Sequence, residues 1–212
     1  MNLASYIDHT LLKAEAVQKD IEKLCMEAME HNFAAVCVNP CYVGQAAGHL
    51  KGGSVGLASV VGFPLGASTI AIKVREAEDA IKNGATEIDM VMAVGFFKGG
   101  NYKRVEEDIR EVVRIAQAKP VKVIIETCYL LPEEITKAAL ICADAGAAYV
   151  KTSTGFGSRG ASIEDIKLIK AAIGNRCKIK ASGGIKTKEQ ALAMIEAGAS
   201  RIGTSSGVAI VS

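Results

Sequence analysis

The feature that most constrains this chain is an alternation of short apolar runs with amphipathic segments, kept up along its whole length. Runs at Ile7–Leu12, Phe33–Val38, Val55–Val61, Glu87–Val94, Val121–Ile125, Ala147–Val150, Ile179–Ala181 and Arg201–Thr204 read as strands. Most lack a polar alternation, the pattern of strands covered on both faces in a parallel sheet. Helical spacing recurs between them, as in Val17, Ile21, Leu24, Cys25 and Ala28, or Ile163, Ile166, Ile169 and Ile173. Pro132 suits a first helical position, and Thr187-Lys188-Glu189-Gln190 is a capping-box pattern. Gly84-Ala85, Gly146-Ala147 and Gly198-Ala199 each mark a helix end shortly before a strand. No linker or low-complexity segment interrupts the series. Eight βα units with right-handed crossovers predict a (β/α)8 TIM barrel, one domain over residues 1–212. The alternative is an open doubly wound sheet. It fits less well because no glycine-rich fingerprint follows the first strand.

Composition narrows the function. Hydrophobic residues make up 50% of the chain and aromatic ones only 5%, which suits closely packed parallel strands and helices. The net charge of +2 gives no reason to expect a nucleic-acid or membrane partner. No apolar run reaches the ~18 residues of a membrane span. Met1 to Ser5 lacks a basic segment leading into an apolar one, so no signal peptide is expected. Six cysteines without a C-x-x-C point to a reducing cytoplasm. Cys37 and Cys41, with no histidine near them in sequence, make a poor metal motif, and no metal is expected. His9, His31 and His49 lack partners at ligand spacing and read as structural or exposed.

In such a barrel the chemistry belongs at the carboxyl ends of the strands. The polar residues there are Asp8, Asn39, Asp89, Glu126, Lys151, Lys180 and the Ser205-Ser206 pair. Lys151 directly follows the apolar run of the sixth unit and precedes Thr152-Ser153-Thr154-Gly155-Phe156-Gly157. A desolvated lysine gives up its proton and attacks carbonyls, so the stretch proposes a Schiff-base enzyme. Lys180 belongs to the next strand. Bringing a lysine from about 10.4 to roughly 7 takes about 4–5 kcal/mol. A second ammonium ~4 Å away supplies about 4 kcal/mol at an effective dielectric of ~20. The bland reading, two lysines reaching solvent, does not explain the pairing or the nearby Asp89. Asp89 itself has two compatible readings, a barrel ion pair and a proton carrier beside Lys180. Asp8 has the same two, the structural one favoured. Glu126, Thr127, Asn39 and Cys37 read as supporting or packing residues.

A separate signal is anion binding. Gly155-Phe156-Gly157, Gly183-Gly184 and Gly203-Thr204-Ser205-Ser206-Gly207 follow the last three strands. Glycine lets backbone N–H groups approach an anion, and the last two loops of a barrel often hold phosphate. Lys186 adds charge.

These residues match a family. Ile7-Asp8-His9-Thr10, Val36-Cys37-Val38-Asn39-Pro40, Gly62-Phe63-Pro64-Leu65-Gly66, Glu87-Ile88-Asp89-Met90-Val91, Lys122-Val123-Ile124-Ile125-Glu126-Thr127, Val150-Lys151-Thr152-Ser153-Thr154-Gly155, Lys180-Ala181-Ser182-Gly183-Gly184 and Gly203-Thr204-Ser205-Ser206-Gly207 together resemble the bacterial 2-deoxyribose-5-phosphate aldolases. The resemblance implies a metal-free, cofactor-free class I aldolase of deoxynucleoside catabolism. It would cleave 2-deoxyribose 5-phosphate reversibly to glyceraldehyde 3-phosphate and acetaldehyde. It implies Lys151 as the imine lysine, Lys180 as the lysine that lowers its pKa, and Asp89 as their partner in proton transfer. It places Asp8 and Cys37 along the same pocket and Thr154, Gly155, Gly183, Gly184, Ser205 and Ser206 around the substrate. It also implies a homodimer or homotetramer. Some members carry lysine directly after the residue matching Gly155, where this chain has Phe156, so the phosphate charge must be met elsewhere, as by Lys186. Many members end in a tyrosine-tipped tail; the sequence in hand runs to Ser212.

Overall fold

The computed structural model describes residues 2–212; Met1, first of the segment read for a signal peptide, lies outside them. Eight strands form a closed parallel barrel in sequence order: β1 (Ile7–Leu11), β2 (Ala35–Val38), β3 (Gly56–Val61), β4 (Glu87–Val91), β5 (Val121–Ile124), β6 (Tyr149–Lys151), β7 (Lys178–Ser182) and β8 (Arg201–Thr204). β8 pairs with β1, with Asp8 opposite Gly203, and this closure rules out the open doubly wound sheet. The surrounding helices are α1 (Gln18–Glu30), α2 (Val43–His49), α3 (Ile70–Lys82), α4 (Val94–Lys98), α5 (Tyr102–Ala116), α6 (Pro132–Asp144), α7 (Ile163–Ile173), α8 (Lys188–Ala197) and α9 (Gly207–Val211).

Local chemistry accounts for most boundaries. Pro132 opens α6, and the Thr187 hydroxyl accepts the Gln190 N–H while the Gln190 side chain accepts the Thr187 N–H at 3.2 Å. Gly84, Gly146 and Gly198 take φ values of 110°, 85° and 123°, a conformation that stops a helix and that side chains resist. Most strand ends shift by one or two residues, and two of the shifts matter here. The apolar run Glu87–Val94 is strand only to Val91; its end bends into the short α4, whose Phe97 is buried. Hydrophobicity alone could not mark that change, because both elements bury apolar residues. β6 covers Tyr149–Lys151, so Lys151 closes the strand and does not open the loop.

Residues paired across neighbouring strands point to the same side of a sheet. The register sets Asp89 beside Lys122, Lys151 beside Lys180, and Lys180 beside Arg201. These side chains point into the barrel. Their outward neighbours, such as Ile88, Val123, Val150, Ile179 and Ile202, are buried against the helical shell. There they meet Ile109 and Val112 of α5 and Ile166 and Ile169 of α7, among others. Each such aliphatic side chain contributes about 1.5–3 kcal/mol of burial free energy. The lumen is uneven. On the β2–β3 side Cys37, Ala58 and Val60 pack with Leu12 and Phe63. The charged residues cluster on the other side, on β1, β4, β5, β6, β7 and β8.

Candidate active site

Lys151, Lys180 and Asp89 meet in the lumen. Lys151 Nζ donates to Asp89 Oδ2 at 2.7 Å, and Lys180 Nζ donates to the same oxygen at 2.7 Å. Adjacent strands in register bring the two amines together, as the sequence predicts. Lys180 also donates to Asp8 Oδ2 at 2.5 Å, and Arg201 Nη1 donates to Asp8 Oδ1 at 2.7 Å. Gly203, opposite Asp8 on β1 and Ser182 on β7, leaves the room this needs: a Cβ there would lie 3.0 Å from Lys180 Cε. Cys37 Sγ lies 3.9 Å from Asp89 Oδ2.

The charge states follow from burial and partners. Burial lowers the Lys151 pKa; Asp89 opposes this, Lys180 adds to it, and the net result lies below the ordinary lysine range. The sequence argument made Lys180 the main cause. Desolvation is the larger one, because Lys151 is fully enclosed on the protein side while the positive charge of Lys180 is largely spent on Asp8 and Asp89. For Lys180 burial again disfavours the charge, but Asp8 and Asp89 outweigh it and the pKa rises. Burial would raise the Asp89 pKa, yet Lys122, Lys151 and Lys180 hold it well below the usual carboxylate range. Asp8 is depressed against its own burial by Lys180, Lys122 and Arg201. Burial, with Asp89 beside it, pushes the Cys37 thiol up to about 11, so it stays neutral.

A pocket of about 270 Å³ opens above Lys151 at the carboxyl ends of the strands. Thr154, Gly155, Gly183, Gly184, Lys186 and Ser205 line it, as expected from the glycine loops. Lys13, two residues past the end of β1, lines it as well, and no carboxylate does among the described residues. Such a mouth favours an anion. Phe156 forms part of the wall and stands edge-on to Phe63, with ring centroids 5.3 Å apart. Three expected placements differ. Ser206 is not on the pocket wall; its N–H turns back to Thr204 Oγ1 at 2.9 Å. Asp8 and Cys37 sit below the floor, in the ion-pair layer, and do not line the pocket.

The sequence reading passed over Lys122, Glu87 and Arg201 as site residues. Lys122 Nζ donates to Asp89 Oδ1 at 2.8 Å and lies 3.5 Å from Asp8 Oδ2. It is also in close charge contact with Glu87 Oε2, without hydrogen-bond geometry. Arg201 Nη2 is 3.6 Å from Glu87 Oε1. The usable signal was period two: Glu87 and Asp89 share a strand face, and Lys122 alternates with the outward Val121 and Val123. Glu126 supports the mouth as expected. Its carboxylate accepts the Thr154 N–H at 3.3 Å and the Thr154 hydroxyl, from a backbone at φ 54°. His9 has a structural partner, with Nε2 2.8 Å from Glu27 Oε2.

An amine depressed by burial, set at the floor of a cationic pocket, is equipment for carbonyl chemistry. Comparison with known proteins agrees. The family described as DeoC/LacD family aldolase matches residues 3–212. The chain belongs to that family. A deoxyribose-phosphate aldolase from Thermoanaerobacter sp. (strain X514) is 54% identical to this DeoC/LacD aldolase, over 100% of this chain and 96% of its own. The solved aldolase QR15 is 45% identical, with a TM-score of 0.95 over 99% of this chain and 94% of its own. A tetrameric deoxyribose phosphate aldolase from Aeropyrum pernix is 33% identical, with a TM-score of 0.92 over 99% and 89%. The DeoC/LacD aldolase is an enzyme of the lyase class acting on small molecules. Among its described residues no helix is long and apolar enough to cross a membrane.

Proposed function

We propose that this DeoC/LacD aldolase forms a Schiff base through Lys151. It thereby cleaves 2-deoxy-D-ribose 5-phosphate, reversibly, to D-glyceraldehyde 3-phosphate and acetaldehyde. The observation that carries the reading is Lys151: an amine of lowered pKa, at the floor of a pocket, sharing one carboxylate oxygen with a second lysine.

The steps follow from the chemistry. Neutral Lys151 attacks C1 of the open-chain sugar, and loss of water leaves a protonated imine. Removal of the C3 hydroxyl proton then breaks the C2–C3 bond. Its electrons move into the C1–C2 enamine, with the iminium nitrogen as the sink. Glyceraldehyde 3-phosphate leaves, C2 takes a proton, and hydrolysis frees acetaldehyde and Lys151. Asp89 and Lys180 move the protons: Asp89 Oδ2 accepts from the reacting nitrogen, and Lys180 donates to that same oxygen, which supports a relay through the carboxylate. The protein's own amine supplies the electron sink, so the scheme needs no metal or cofactor. The sugar phosphate lies in the mouth against Gly155, Gly183, Gly184 and Ser205, with Lys13 and Lys186 supplying charge opposite the apolar Phe156. Cytoplasmic deoxynucleoside catabolism and a homodimeric or homotetrameric assembly complete the reading.

The test is trapping with borohydride in the presence of acetaldehyde, followed by peptide mapping. The expected product is a single ethyl adduct on Lys151. No adduct there, with cleavage activity retained, contradicts the proposal.

A further inference from the structure

The charged layer under the pocket holds four cations, Lys122, Lys151, Lys180 and Arg201, against three carboxylates, Asp8, Glu87 and Asp89. Its members are buried or nearly so, where an unbalanced charge is costly. If one cation gives up its proton, the layer is neutral. Lys122, Lys180 and Arg201 each contact two or three of the carboxylates. Lys151 contacts one, Asp89, and shares the contacted oxygen with Lys180. Lys151 is therefore the cation the layer can spare.

We propose that Lys122 and Glu87, neither of which reaches the pocket, are positioning residues that fix Lys151 as the uncharged amine. Lys122 occupies Asp89 Oδ1, Asp8 and Glu87, so those carboxylates do not retain the Lys151 proton. The groups facing Lys151 are Asp89 from β4, Lys180 from β7 and the Cys37 thiol from β2. Lys122 on β5 and Asp8 on β1 act through Asp89 and Lys180. Removing the Lys122 charge leaves three carboxylates facing Lys180 and Arg201, and the layer is neutral only with Lys151 protonated. Removing the Glu87 charge does the reverse.

This inference rests on Lys151 being the imine-forming residue, and the experiment separates the two. The rate of acetaldehyde-dependent borohydride trapping on Lys151 is measured against pH for wild type, Lys122→Met, Glu87→Gln and the double variant. In Lys122→Met the acidic limb is expected to move up by about 1–3 pH units, with the alkaline plateau kept. Trapping at pH 7 then falls about 10- to 1000-fold. Glu87→Gln alone moves the limb down, and in the double variant it returns toward wild type. Loss of plateau with every limb unmoved overturns the charge-balance inference. Absence of a Lys151 adduct in wild type at any pH overturns the imine reading itself. Where Lys122→Met does not fold, the limb of Glu87→Gln decides alone.

Discussion

Two buried lysines of this molecule look alike and differ in what they can do. Lys73, on α3, is fully enclosed between the barrel and α5. Its Nζ donates to Asp108 Oδ2 at 2.5 Å and to the Val91 carbonyl at 2.9 Å. Lys151 donates to Asp89 at 2.7 Å and is also almost wholly buried. Burial lowers the pKa of both amines, and in both the paired aspartate opposes it. Lys73 has no open space before it: Gly62 sits so close that a Cβ there would fall 2.8 Å from Lys73 Cε. Lys151 looks into a pocket of about 270 Å³. A desolvated amine is thus not a site by itself. Access for a carbonyl carbon, and neighbours that can move protons, make it one.

The largest effect that sharpens this contrast is on turnover. Lys151→Leu is expected to lower aldol cleavage by about 10³-fold or more, because the covalent route is gone. Its unfolding midpoint should stay near wild type, since leucine fills the lumen and Asp89 keeps Lys122 and Lys180. Comparable turnover in this variant would make the two lysines equivalent.

The next effect is on stability. Lys73→Met leaves Asp108 buried without its cation and is expected to cost about 3–5 kcal/mol in urea unfolding. The turnover of the molecules that remain folded should change only a few-fold. Lys73→Met combined with Asp108→Leu should recover most of the loss. If the single variant instead removes activity without loss of stability, the assignment of Lys73 to structure is wrong.

A third effect is on acid stability. Asp8 and Asp89 have folded-state pKa values below their unfolded ones, against burial, because lysines and Arg201 face them. A depressed carboxylate contributes stability that is present above its unfolded pKa, about 3.9, and lost as pH falls through the folded value. The stability of Asp89→Asn should therefore decline less than that of wild type between about pH 5 and pH 2, measured by urea unfolding at each pH. Parallel curves would remove Asp89 from the charge balance.

The smallest effect concerns the pocket rim. Phe156 is 56% exposed and faces a mouth that already holds Lys13 and Lys186. Phe156→Lys should lower KM for the sugar phosphate only a few-fold, as expected for a solvent-screened charge, and less at high salt. A large fall in kcat would place Phe156 in the chemistry.

Much of this was legible in the sequence, and the exceptions have physical causes. The barrel was readable because its strands are short, apolar and regularly spaced, and helix-ending glycines mark three of the junctions. Lys151, Lys180 and Asp89 were readable because each interrupts or closes an apolar run. Lys122 was not singled out, although it also interrupts one; Asp89 faces it from the adjacent β4, but Asp8 comes within reach only when the barrel closes. The same holds for Arg201, whose partner Asp8 lies at the other end of the chain. The sequence pointed to Lys151 as the amine that loses its proton, but not to the reason it is Lys151 and not Lys180. Proximity is symmetric, whereas the carboxylates that hold Lys180 charged come from β1 and β4.

The most direct test of the central claim is to titrate the lysines individually, by NMR of side-chain carbons enriched at Cε, with Lys151→Leu to assign the signal. The account requires Lys151 to lose its proton below the ordinary lysine range while Lys180 and Lys122 remain charged above it. A Lys151 signal that titrates with the surface lysines, or a Lys180 signal that titrates before it, would contradict the account.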